Sequence, residues 1–594
     1  MLLKQWVVMA KKADFDALAQ QFHISPMLAR IIRNRDMVTP EEIGLFLNGT
    51  LDDLYDPMRL YGMREAADML KEAVHSDDKI RVIGDYDVDG VCSTYILVTA
   101  LERMGANVSW QLPDRMVDGY GLNARIVEKA HEDQIDLILT CDNGIAAVSE
   151  IALAKEYGMK VIVTDHHEAP PELPCADVIV DPKQPACSYP YPEICGAVVA
   201  WKLVQVLSKD TGIQMPADHL QFAALATVCD VMPLLHENRI IVRYGLEAMR
   251  GTENTGLGAL MDVTKCSGIR LSPYHAGFIL GPCVNATGRL DLAGRALNLF
   301  LSEDRNEAVT IARELQELNE SRRNMTLQAT DRAIRIVREG DAVNPVMEDD
   351  RVLVVYMPDC HESIAGIVAG KVKEAFYRPT IVLTGGNEPL GTELEVQSAE
   401  NEPLTPSPMV HPGVHIVKGS ARSIEAYNMF EALCAISELF TKFGGHKMAA
   451  GLSLPKDNIG ELRRRLNENA HLTAEELTEK VKIDIPMPIR YATREFVAEL
   501  ERLGPFGNGN PTPNFAQKGL VIADLEVRGE NRNVVNLRFE HETAETVWFG
   551  DGNAFAAQYH TGDKVSVVYQ PKFREYRGVR SIQMQIKEIK PDTT

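Results

Sequence analysis

Three aspartates at alternate positions stand in the stretch RVIGDYDVDGV, residues 81–91. Asp85, Asp87 and Asp89 follow a short apolar run and are bracketed by Gly84 and Gly90. Like charges this close repel one another and lose hydration unless a cation lies among them. Hard oxygen ligands of this kind suit Mg²⁺ or Mn²⁺. An acidic surface turn is the alternative for this segment taken alone.

Two further apolar runs end in polar residues of the same chemistry. Asp142 follows the run at 135–140, and His166 and His167 follow the run at 161–164. Helix-like segments at 93–104, 123–132 and 146–157 separate the runs, and this alternation indicates a doubly wound parallel sheet. Ligands bind outside the carboxyl ends of such strands. The sequence therefore predicts a metal site at one edge of the sheet.

These residues resemble the motifs of the DHH phosphoesterase family, whose tripeptide stands here at 165–167. LQFAALATVCDVMPL (220–234) resembles the motif in which that family carries another metal-binding aspartate, here Asp230. The chain is further similar to the RecJ exonuclease family, over roughly residues 45–585. The supporting segments, in order, are GFILGPCVNATGRLD (277–291), CHESIAGIVAGKVKE (360–374), KGSARS (418–423) and KFGGHKMAAGL (442–452).

The resemblance implies a metal-dependent exonuclease specific for single-stranded DNA that degrades 5′→3′ to 5′-mononucleotides, in DNA repair and recombination. Two divalent cations, Mn²⁺ or Mg²⁺, about 3.5–4 Å apart would activate water and stabilise the leaving oxygen. The expected ligands are Asp85, Asp87, Asp89, Asp142, His166 and Asp230. Asp142 is expected to bridge the ions, with Asp85 and Asp87 completing one site and the other three residues the second. His167 is expected to orient the substrate.

The resemblance also implies two groups of DNA contacts. Near the metals the expected contacts are Arg115, Tyr120, Asn285 and Arg289, of which Arg289 is expected to grip the scissile or adjacent phosphate. The segment 277–291, which carries Asn285 and Arg289, is expected to be a loop beside the metals. In the second half of the chain, within residues 341–470, Ser420 and Arg422 are expected to bind the terminal 5′ phosphate. A turn at Gly444 and Gly445 and the side chain of His446 are expected to reach phosphate as well. Plainer structural roles stay open for each: a surface loop, a salt bridge of Arg289 to Asp291, or a helix-capping His446.

Bulk composition fits a multidomain globular enzyme but not an obvious nucleic-acid binder. The 594 residues carry a formal net charge of −22, which opposes phosphate binding unless the basic residues cluster along a channel. No apolar run is long enough to span a bilayer, and we identify no signal peptide. Ten scattered cysteines fit reduced thiols in the cytoplasm. A monomer that acts on single-stranded DNA is expected, with a single-strand-binding protein or a helicase as possible recruiting partners and no membrane association.

The fold class predicted is α/β, and five regions are expected. They are a helical lead-in (1–75), a DHH catalytic domain (76–294), a connecting helix (295–340), a smaller α/β DHHA1 substrate-binding domain (341–470), and a linker with a C-terminal OB-like β-barrel (471–594). Alternating strands and turns after residue 504 predict the barrel, where Arg574 and Arg577 are candidate DNA contacts. The polar stretch 385–414 departs from the RecJ pattern and is expected to be a surface excursion.

Two other functions are compatible with the same metal edge. Small DHH enzymes hydrolyse short oligonucleotides, but they lack a C-terminal barrel. A non-catalytic replication scaffold of the DHH type would bind single strands without cutting, and it is expected to have lost metal ligands that this sequence retains.

Overall fold

The computed structural model describes residues 4–113, 121–290, 294–386, 415–576 and 579–592. The chain divides into two compact units. One contains Trp6–Gln316 and Lys482–Thr594, and the other contains Glu317–Val481 with Met1–Gln5.

The chain begins with a short strand and a set of small helices. Side-chain caps start three of these helices, among them a capping box in which Thr39 and Glu42 each bond the backbone of the other. Their bounds are β1 (Gln5–Val8), α1 (Phe15–Phe22), α2 (Pro26–Asn34), α3 (Pro40–Asn48) and α4 (Met63–His75).

A parallel sheet follows, as the alternation of strands and helices predicts. Its elements are β2 (Lys79–Ile83), α5 (Val88–Arg103), β3 (Asn107–Gln111), α6 (Ala124–Glu132), β4 (Leu137–Cys141), α7 (Val148–Glu156), β5 (Lys160–Thr164) and β6 (Val178–Val180). The strand order is β3–β2–β4–β5–β6, with parallel pairing throughout. The carboxyl ends of β2, β4 and β5 therefore lie side by side at the centre of one edge.

Helices cover this sheet and complete its core. They are α8 (Gly196–Thr211), α9 (His219–Cys229), α10 (His236–Met249), α11 (Thr255–Val263), α12 (Pro273–His275), α13 (Gly281–Leu290) and α14 (Gly294–Leu301). Helix α5 packs against α8 and α9, and the apolar core of this layer is continuous with the strands. We expected an irregular loop over 277–291. It is instead a π-helical turn at Ala276–Leu280 followed directly by α13, so the chain is helical without a break from Pro273 to Leu290.

The expected long helix over 295–339 is present, but it is interrupted near its start. After α14, helix α15 begins at Arg305 and runs to Glu339. The carboxylate of Asp304 accepts hydrogen bonds from the amides of Asn306 and Glu307, so Asp304 acts as a new N-cap. The capping residue restarts the helix without a glycine or proline, which is why periodicity alone does not reveal the break.

The second unit contains a mixed sheet in the order β10–β11–β9–β8–β7. Its elements after α15 are β7 (Leu353–Met357), α16 (Glu362–Phe376), β8 (Thr380–Gly385), β9 (Ile416–Arg422), α17 (Met429–Cys434), β10 (Lys442–His446), β11 (Ala449–Pro455) and α18 (Ile459–Asn469). A core of its own lies between the sheet and its helices. Most of the 385–414 stretch lies outside the described residues.

The C-terminal region closes into a β-barrel. Its elements are β12 (Lys480–Ile483), β13 (Ile485–Pro486), α19 (Arg494–Glu501), β14 (Phe515–Arg528), β15 (Val534–Phe539), β16 (Glu545–Phe549), α20 (Gly552–Gln558), β17 (Lys564–Tyr576) and β18 (Val579–Pro591). Pairing of β14 with both β15 and β17 closes the order β14–β15–β16–β18–β17. The predicted fold class, with its parallel sheet, long helix, smaller α/β domain and terminal barrel, is confirmed. Among the helices described, none has the length and apolar character needed to cross a membrane.

Arg239 joins three separate stretches of the first unit. Its side chain is 2% exposed, and its guanidinium donates to the carbonyls of Phe46 (2.7 Å), Leu503 (2.7 Å) and Arg502 (3.0 Å). The guanidinium also lies 3.8 Å from the ring centre of Phe46. One side chain on α10 therefore fixes both the N-terminal helices and the segment before the barrel.

We expect Arg239→Leu to lower the free energy of unfolding by about 3 kcal/mol, because three buried carbonyls lose their donors. The neighbouring Arg243 is exposed and makes one long bond, 3.5 Å to the carbonyl of Leu47, so Arg243→Leu is the matched control. Urea denaturation of both variants measures the difference. Equal shifts in the two variants would contradict this role for Arg239.

Candidate metal centre

The turn between β2 and α5 presents the three alternate aspartates. Asp87 is the N-cap of α5, and its Oδ1 accepts hydrogen bonds from the amides of Asp89 (2.9 Å) and Gly90 (3.1 Å). Asp85 and Asp89 are buried. The turn is tight enough to require Gly90, since a Cβ there would lie 2.4 Å from the backbone of Asp85.

Asp142 follows β4 with a backbone φ of 59°. The next residue, Asn143, donates from its side chain to the carbonyls of Ile83 (3.1 Å) and Cys141 (2.9 Å), which joins the ends of β2 and β4. Asn143 was not among the predicted site residues. Its position directly after a predicted strand end was the available signal.

Asp165 is a second residue missing from the predicted site set. Its Oδ1 accepts from the amides of His166 and His167 and lies 2.7 Å from Nδ1 of His167, while its Oδ2 accepts from the amide of Ile145. Asp165 thus orients the two histidines that follow it. Its place at the head of the tripeptide could have indicated this.

The strand ends converge on Nε2 of His166. This nitrogen lies 3.0 Å from an Asp142 oxygen, 3.4 Å from an Asp89 oxygen and 3.7 Å from an Asp230 oxygen. Asp230 reaches the group from the C-terminus of α9. All six predicted ligands fall into groups whose candidate ligand atoms lie within 4.8 Å of one another: Asp85, Asp87 and Asp142; Asp89, His166 and Asp230; and a third of Asp142 with Asp165, His166 and His167.

Asp89 also fixes the helix behind the site. Its two oxygens accept from the amides of Gly196 (2.7 Å) and Ala197 (2.8 Å) in the first turn of α8. A carboxylate at a helix N-terminus is stabilised by unpaired amides and by the helix dipole. Gly196 is needed here, because a Cβ would stand 2.8 Å from Cβ of Asp142.

Burial and mutual repulsion dominate the electrostatics of the site. Burial, with the charge of Asp87, raises the pKa of Asp85 to about 8. Burial and the charges of Asp89 and Asp87 likewise raise the pKa of Asp230 to about 8. The pKa values of Asp87 and Asp142 are raised by the same two causes. Without a cation, the site therefore retains protons that isolated carboxylates would have released.

The two histidines differ in charge. Burial lowers the pKa of His166, which leaves its imidazole neutral and able to act as a ligand. Burial also acts against protonation of His167, but the bond to Asp165 and the charges of nearby carboxylates outweigh it and raise the pKa to about 9. His167 therefore carries a positive charge at neutral pH, beside the acidic group.

The donor set fits a hard divalent cation. Carboxylate oxygens with one imidazole nitrogen suit Mn²⁺ or Mg²⁺. Oδ2 of Asp230 is buried and accepts no hydrogen bond from the residues described. A buried acceptor of this kind, facing other carboxylates, is satisfied by a cation rather than by a protein donor.

The predicted DNA contacts near this edge are described only in part. The side-chain Oδ1 of Asn285 accepts from the amide of Val88 (3.1 Å), so this residue supports the first turn of α5. Arg289 belongs to α13, but its side chain lies outside what the structure describes. Arg115 and Tyr120 lie outside the described residues altogether.

The predicted phosphate contacts of the second unit lie on adjacent strands. Ser420 on β9 and Gly444 on β10 both pair with Gly451 of β11, and the guanidinium of Arg422 donates to Oγ of Ser420 (3.2 Å). The expected turn at Gly444 and Gly445 is wrong, because both residues lie inside β10. Gly445 permits close strand approach, since a Cβ there would lie 2.4 Å from the carbonyl of Ala449.

His446 ends strand β10 opposite Ala449, and the hairpin turn follows it. The alternative role as a helix cap is therefore wrong for His446. Its side chain is exposed. In the barrel, Arg574 is paired with Glu545 at 2.5 Å, and Arg577 lies outside the described residues.

An exposed aromatic pair on the helical segment before α13 was not predicted. The rings of Tyr274 and Phe278 are stacked, with centroids 5.4 Å apart, and the side chains are 60% and 73% exposed. Ala276 lies between them in the sequence, and its carbonyl accepts a hydrogen bond from the thiol of Cys229, the residue before Asp230. A loop was expected from residue 277 onward, so the helical i, i+4 spacing that brings Tyr274 and Phe278 together was not considered.

Three family models match the chain. The DHH family N-terminal domain matches residues 79–227, the DHHA1 domain matches 349–471, and the RecJ OB domain matches 483–588. The catalytic-edge residues Asp85, Asp87, Asp89, Asp142 and His166 lie within the first match, and Asp230 lies just beyond it.

Curated relatives match over nearly the whole chain. The single-stranded-DNA-specific exonuclease RecJ of Bacillus subtilis is 36% identical over 98% of this chain and 70% of that relative. The RecJ exonuclease of Escherichia coli is 31% identical over 99% of this chain and 100% of that relative. The crystal structure of RecJ from Thermus thermophilus in complex with Mn²⁺ superposes on 99% of this chain and uses 80% of its own length, with 26% sequence identity and a TM-score of 0.80. The complex of the same protein with Mg²⁺ has 25% sequence identity and a TM-score of 0.75.

We expect Mn²⁺ to raise the thermal unfolding temperature of the protein, by more at about pH 8 than at about pH 6. In the unfolded chain an aspartate has a pKa near 3.9, whereas Asp85 and Asp230 have folded values of about 8. Between about pH 4 and pH 8 the folded protein without the ion holds protons that the unfolded chain has released, so its free energy of unfolding falls as pH rises. A bound cation replaces those protons and removes this decrease in stability. Calorimetry with Mn²⁺ or EDTA measures it; a pH-independent effect of Mn²⁺ would contradict the expectation.

Proposed function

The chain belongs to the RecJ family of exonucleases, and on that premise we propose that it degrades single-stranded DNA 5′→3′ to 5′-mononucleotides by metal-dependent hydrolysis. The observation that carries the proposal is the presence of two ligand groups that meet at Asp142 and His166. One group is Asp85, Asp87 and Asp142, the other is Asp89, His166 and Asp230, and an Asp142 oxygen lies 3.0 Å from Nε2 of His166. This arrangement retains every metal ligand that the family resemblance implies. It thus gives no support to a scaffold that binds without cutting.

Two divalent cations, Mn²⁺ or Mg²⁺, are proposed at the edge of the sheet. Asp85 and Asp87 would hold one, and Asp89, His166 and Asp230 would hold the other. Asp142 would contribute to both, which is supported by its short distance to His166 and its place in the group with Asp85 and Asp87. Such ions supply Lewis acidity and lower the pKa of bound water.

The residues around the ions act on the substrate. His167, held in its charged form by Asp165, is suited to donate a hydrogen bond to a phosphate oxygen. Arg289 is proposed to grip the scissile or adjacent phosphate, with Asn285 keeping the first turn of α5 in place. Arg115 and Tyr120 are proposed to hold the 5′ end of the strand.

The second unit is proposed to recognise the 5′ phosphate. Ser420 and Arg422 share a hydrogen bond and are suited to bind that phosphate together. Gly444, Gly445 and His446 lie on the neighbouring hairpin, where His446 is exposed and available to a second phosphate. Capture of a terminal phosphate would set the 5′→3′ direction.

Single-strand binding is proposed to use aromatic stacking and the barrel. Tyr274 and Phe278 present a stacked, exposed surface suited to unpaired bases. Arg574 and Arg577 are proposed as further DNA contacts. The five predicted regions, 1–75, 76–294, 295–340, 341–470 and 471–594, remain our division of these tasks. Action as a cytoplasmic monomer, recruited by a single-strand-binding protein or a helicase, is part of the proposal.

The test uses single-stranded DNA labelled at either end, with blunt duplex as a control and Mn²⁺ or EDTA. Immediate release of labelled mononucleotide from the 5′ label alone, in Mn²⁺ only, is the expected result. We expect Asp142→Asn to reduce the rate by more than about 100-fold, because an ion loses its shared ligand. Asp136→Asn, at the other end of β4, is the matched control.

Equal activity of the Asp142 and Asp136 variants would contradict the assigned centre. Release from the 3′ label first would contradict the direction. Cleavage confined to di- and trinucleotides would replace the proposal with a small-substrate phosphodiesterase of the same fold.

We expect Phe278→Ala to weaken binding of single-stranded DNA by about 1–3 kcal/mol, because one base loses its stacking partner. Fluorescence anisotropy in EDTA measures binding without cleavage. Phe430, also exposed but in the second unit, gives the control variant Phe430→Ala, for which no loss is expected. Unchanged affinity in the Phe278 variant would exclude the aromatic pair from the DNA path.

A further inference from the structure

The loop that follows Asp230 has a strained backbone. Val231 adopts a φ of 59°, which is rare for a β-branched residue, and its side chain is 64% exposed. Strain of this kind persists only where surrounding contacts impose it. The contacts of Val231 therefore bear on the position of the adjacent carboxylate.

Two sets of hydrogen bonds hold this loop. At the helix end, the amide of Val231 donates to the carbonyl of Val228 (3.2 Å) and the amide of Met232 donates to the carbonyl of Thr227 (3.1 Å), which closes the last turn of α9 around the left-handed residue. A turn from the segment before the barrel adds the second set. The side-chain amide of Asn508 donates to the carbonyl of Val231 (2.7 Å), and the amide of Leu234 donates to the carbonyl of Asn508 (2.8 Å). Asn508 thus bonds both ends of the loop 231–234. Gly509, with a φ of 70°, lets the turn approach closely, since a Cβ there would meet Cβ of Pro233 at 3.0 Å.

The turn is itself rigid. Gly507 and Asn510 exchange backbone hydrogen bonds, and the fully buried side chain of Asn510 donates to the carbonyls of Leu503 (2.7 Å) and Pro505 (2.8 Å). Arg35 donates in turn to Oδ1 of Asn510 (2.7 Å). These hydrogen bonds fix the backbone of the glycine-rich segment, so the turn can hold the loop 231–234 in place.

We propose that Asn508 is a positioning residue for the metal centre: it holds the loop after Asp230 so that this carboxylate faces His166. The inference rests on the proposed function, in which Asp230 binds an ion. Tyr191 and Asn238 also bond this loop, but they contact the carbonyl of Pro233. Asn508 is bonded to the strained residue next to the ligand.

This contact links the C-terminal region to the chemistry of the parallel sheet. The amide of Asp230 donates to the carbonyl of Ala226 (2.9 Å), so Asp230 belongs to the last turn of α9 and its carboxylate keeps its direction while that turn stays closed. Release of the loop 231–234 would let the turn open and would move the carboxylate. Loss of an outer residue that orients a ligand typically weakens metal binding by about 10–100-fold. Because Asn508 is exposed, we expect the lower end of that range.

The test measures Mn²⁺ affinity without DNA, by titration followed with electron paramagnetic resonance. We expect Asn508→Ala to bind Mn²⁺ about 10-fold more weakly, with a kcat that recovers at high Mn²⁺ and an unchanged KM for single-stranded DNA. Asn514→Ala is the matched control, because Asn514 donates to the carbonyl of Lys482 in the same region but does not contact the loop. It should retain full Mn²⁺ affinity.

A second substitution separates positioning from simple loss of structure. Val231→Gly removes the cost of the left-handed backbone, so in the Asn508→Ala background it should restore Mn²⁺ affinity. Wild-type affinity in Asn508→Ala, an equal loss in Asn514→Ala, or no restoration by Val231→Gly would each overturn the inference. A wild-type protein that cleaves DNA without binding Mn²⁺ or Mg²⁺ would instead overturn the proposed function, and this inference with it.

Discussion

Repulsion among buried carboxylates at one edge of the parallel sheet is the constraint on which the rest of this structure depends. Oxygens of Asp89, Asp142 and Asp230 lie within 3.7 Å of Nε2 of His166, and Asp85 and Asp87 form a second group with Asp142. The pKa values of Asp85, Asp142 and Asp230 are raised, and backbone amides bond the oxygens of Asp89. Such a cluster is costly in a folded protein without a compensating charge. A divalent cation supplies that charge, so folding of the edge and binding of metal are linked.

Much of the surrounding structure keeps these carboxylates in place. Amides at the start of α5 and α8 bond Asp87 and Asp89, and Asp165 fixes the two histidines. At a greater distance, Arg239 joins the N-terminal helices to the segment before the barrel, and the turn at Asn508 reaches back to the loop after Asp230. The segment before the barrel is therefore bonded directly to the loop that follows a candidate metal ligand.

The strand ends were predictable because each carries its own local signal. An apolar run followed at once by Asp or His needs no long-range information, and the alternation with helices implies that parallel strands place these residues at one edge. Expectations at the glycine-rich segments were less accurate. Residues 277–290 are helical, and Gly444 and Gly445 lie in a strand. A glycine in a sequence indicates a close approach or an unusual φ, but it does not indicate whether that position lies in a helix, a strand or a turn.

The sequence alone determined the parallel sheet, the order of the domains and the terminal barrel, and it supplied the candidate metal ligands, since all of these follow from short-range patterns and ordered motifs. Only the tertiary structure decided how the ligands are held. Asn508 and Val231 are 277 residues apart, and the roles of Asp165, Asn143 and the Tyr274–Phe278 pair depend on where their side chains lie after folding. Hydrogen bonds between distant segments leave no periodic pattern in the chain, so they become visible only once the backbone has brought the donors and acceptors together.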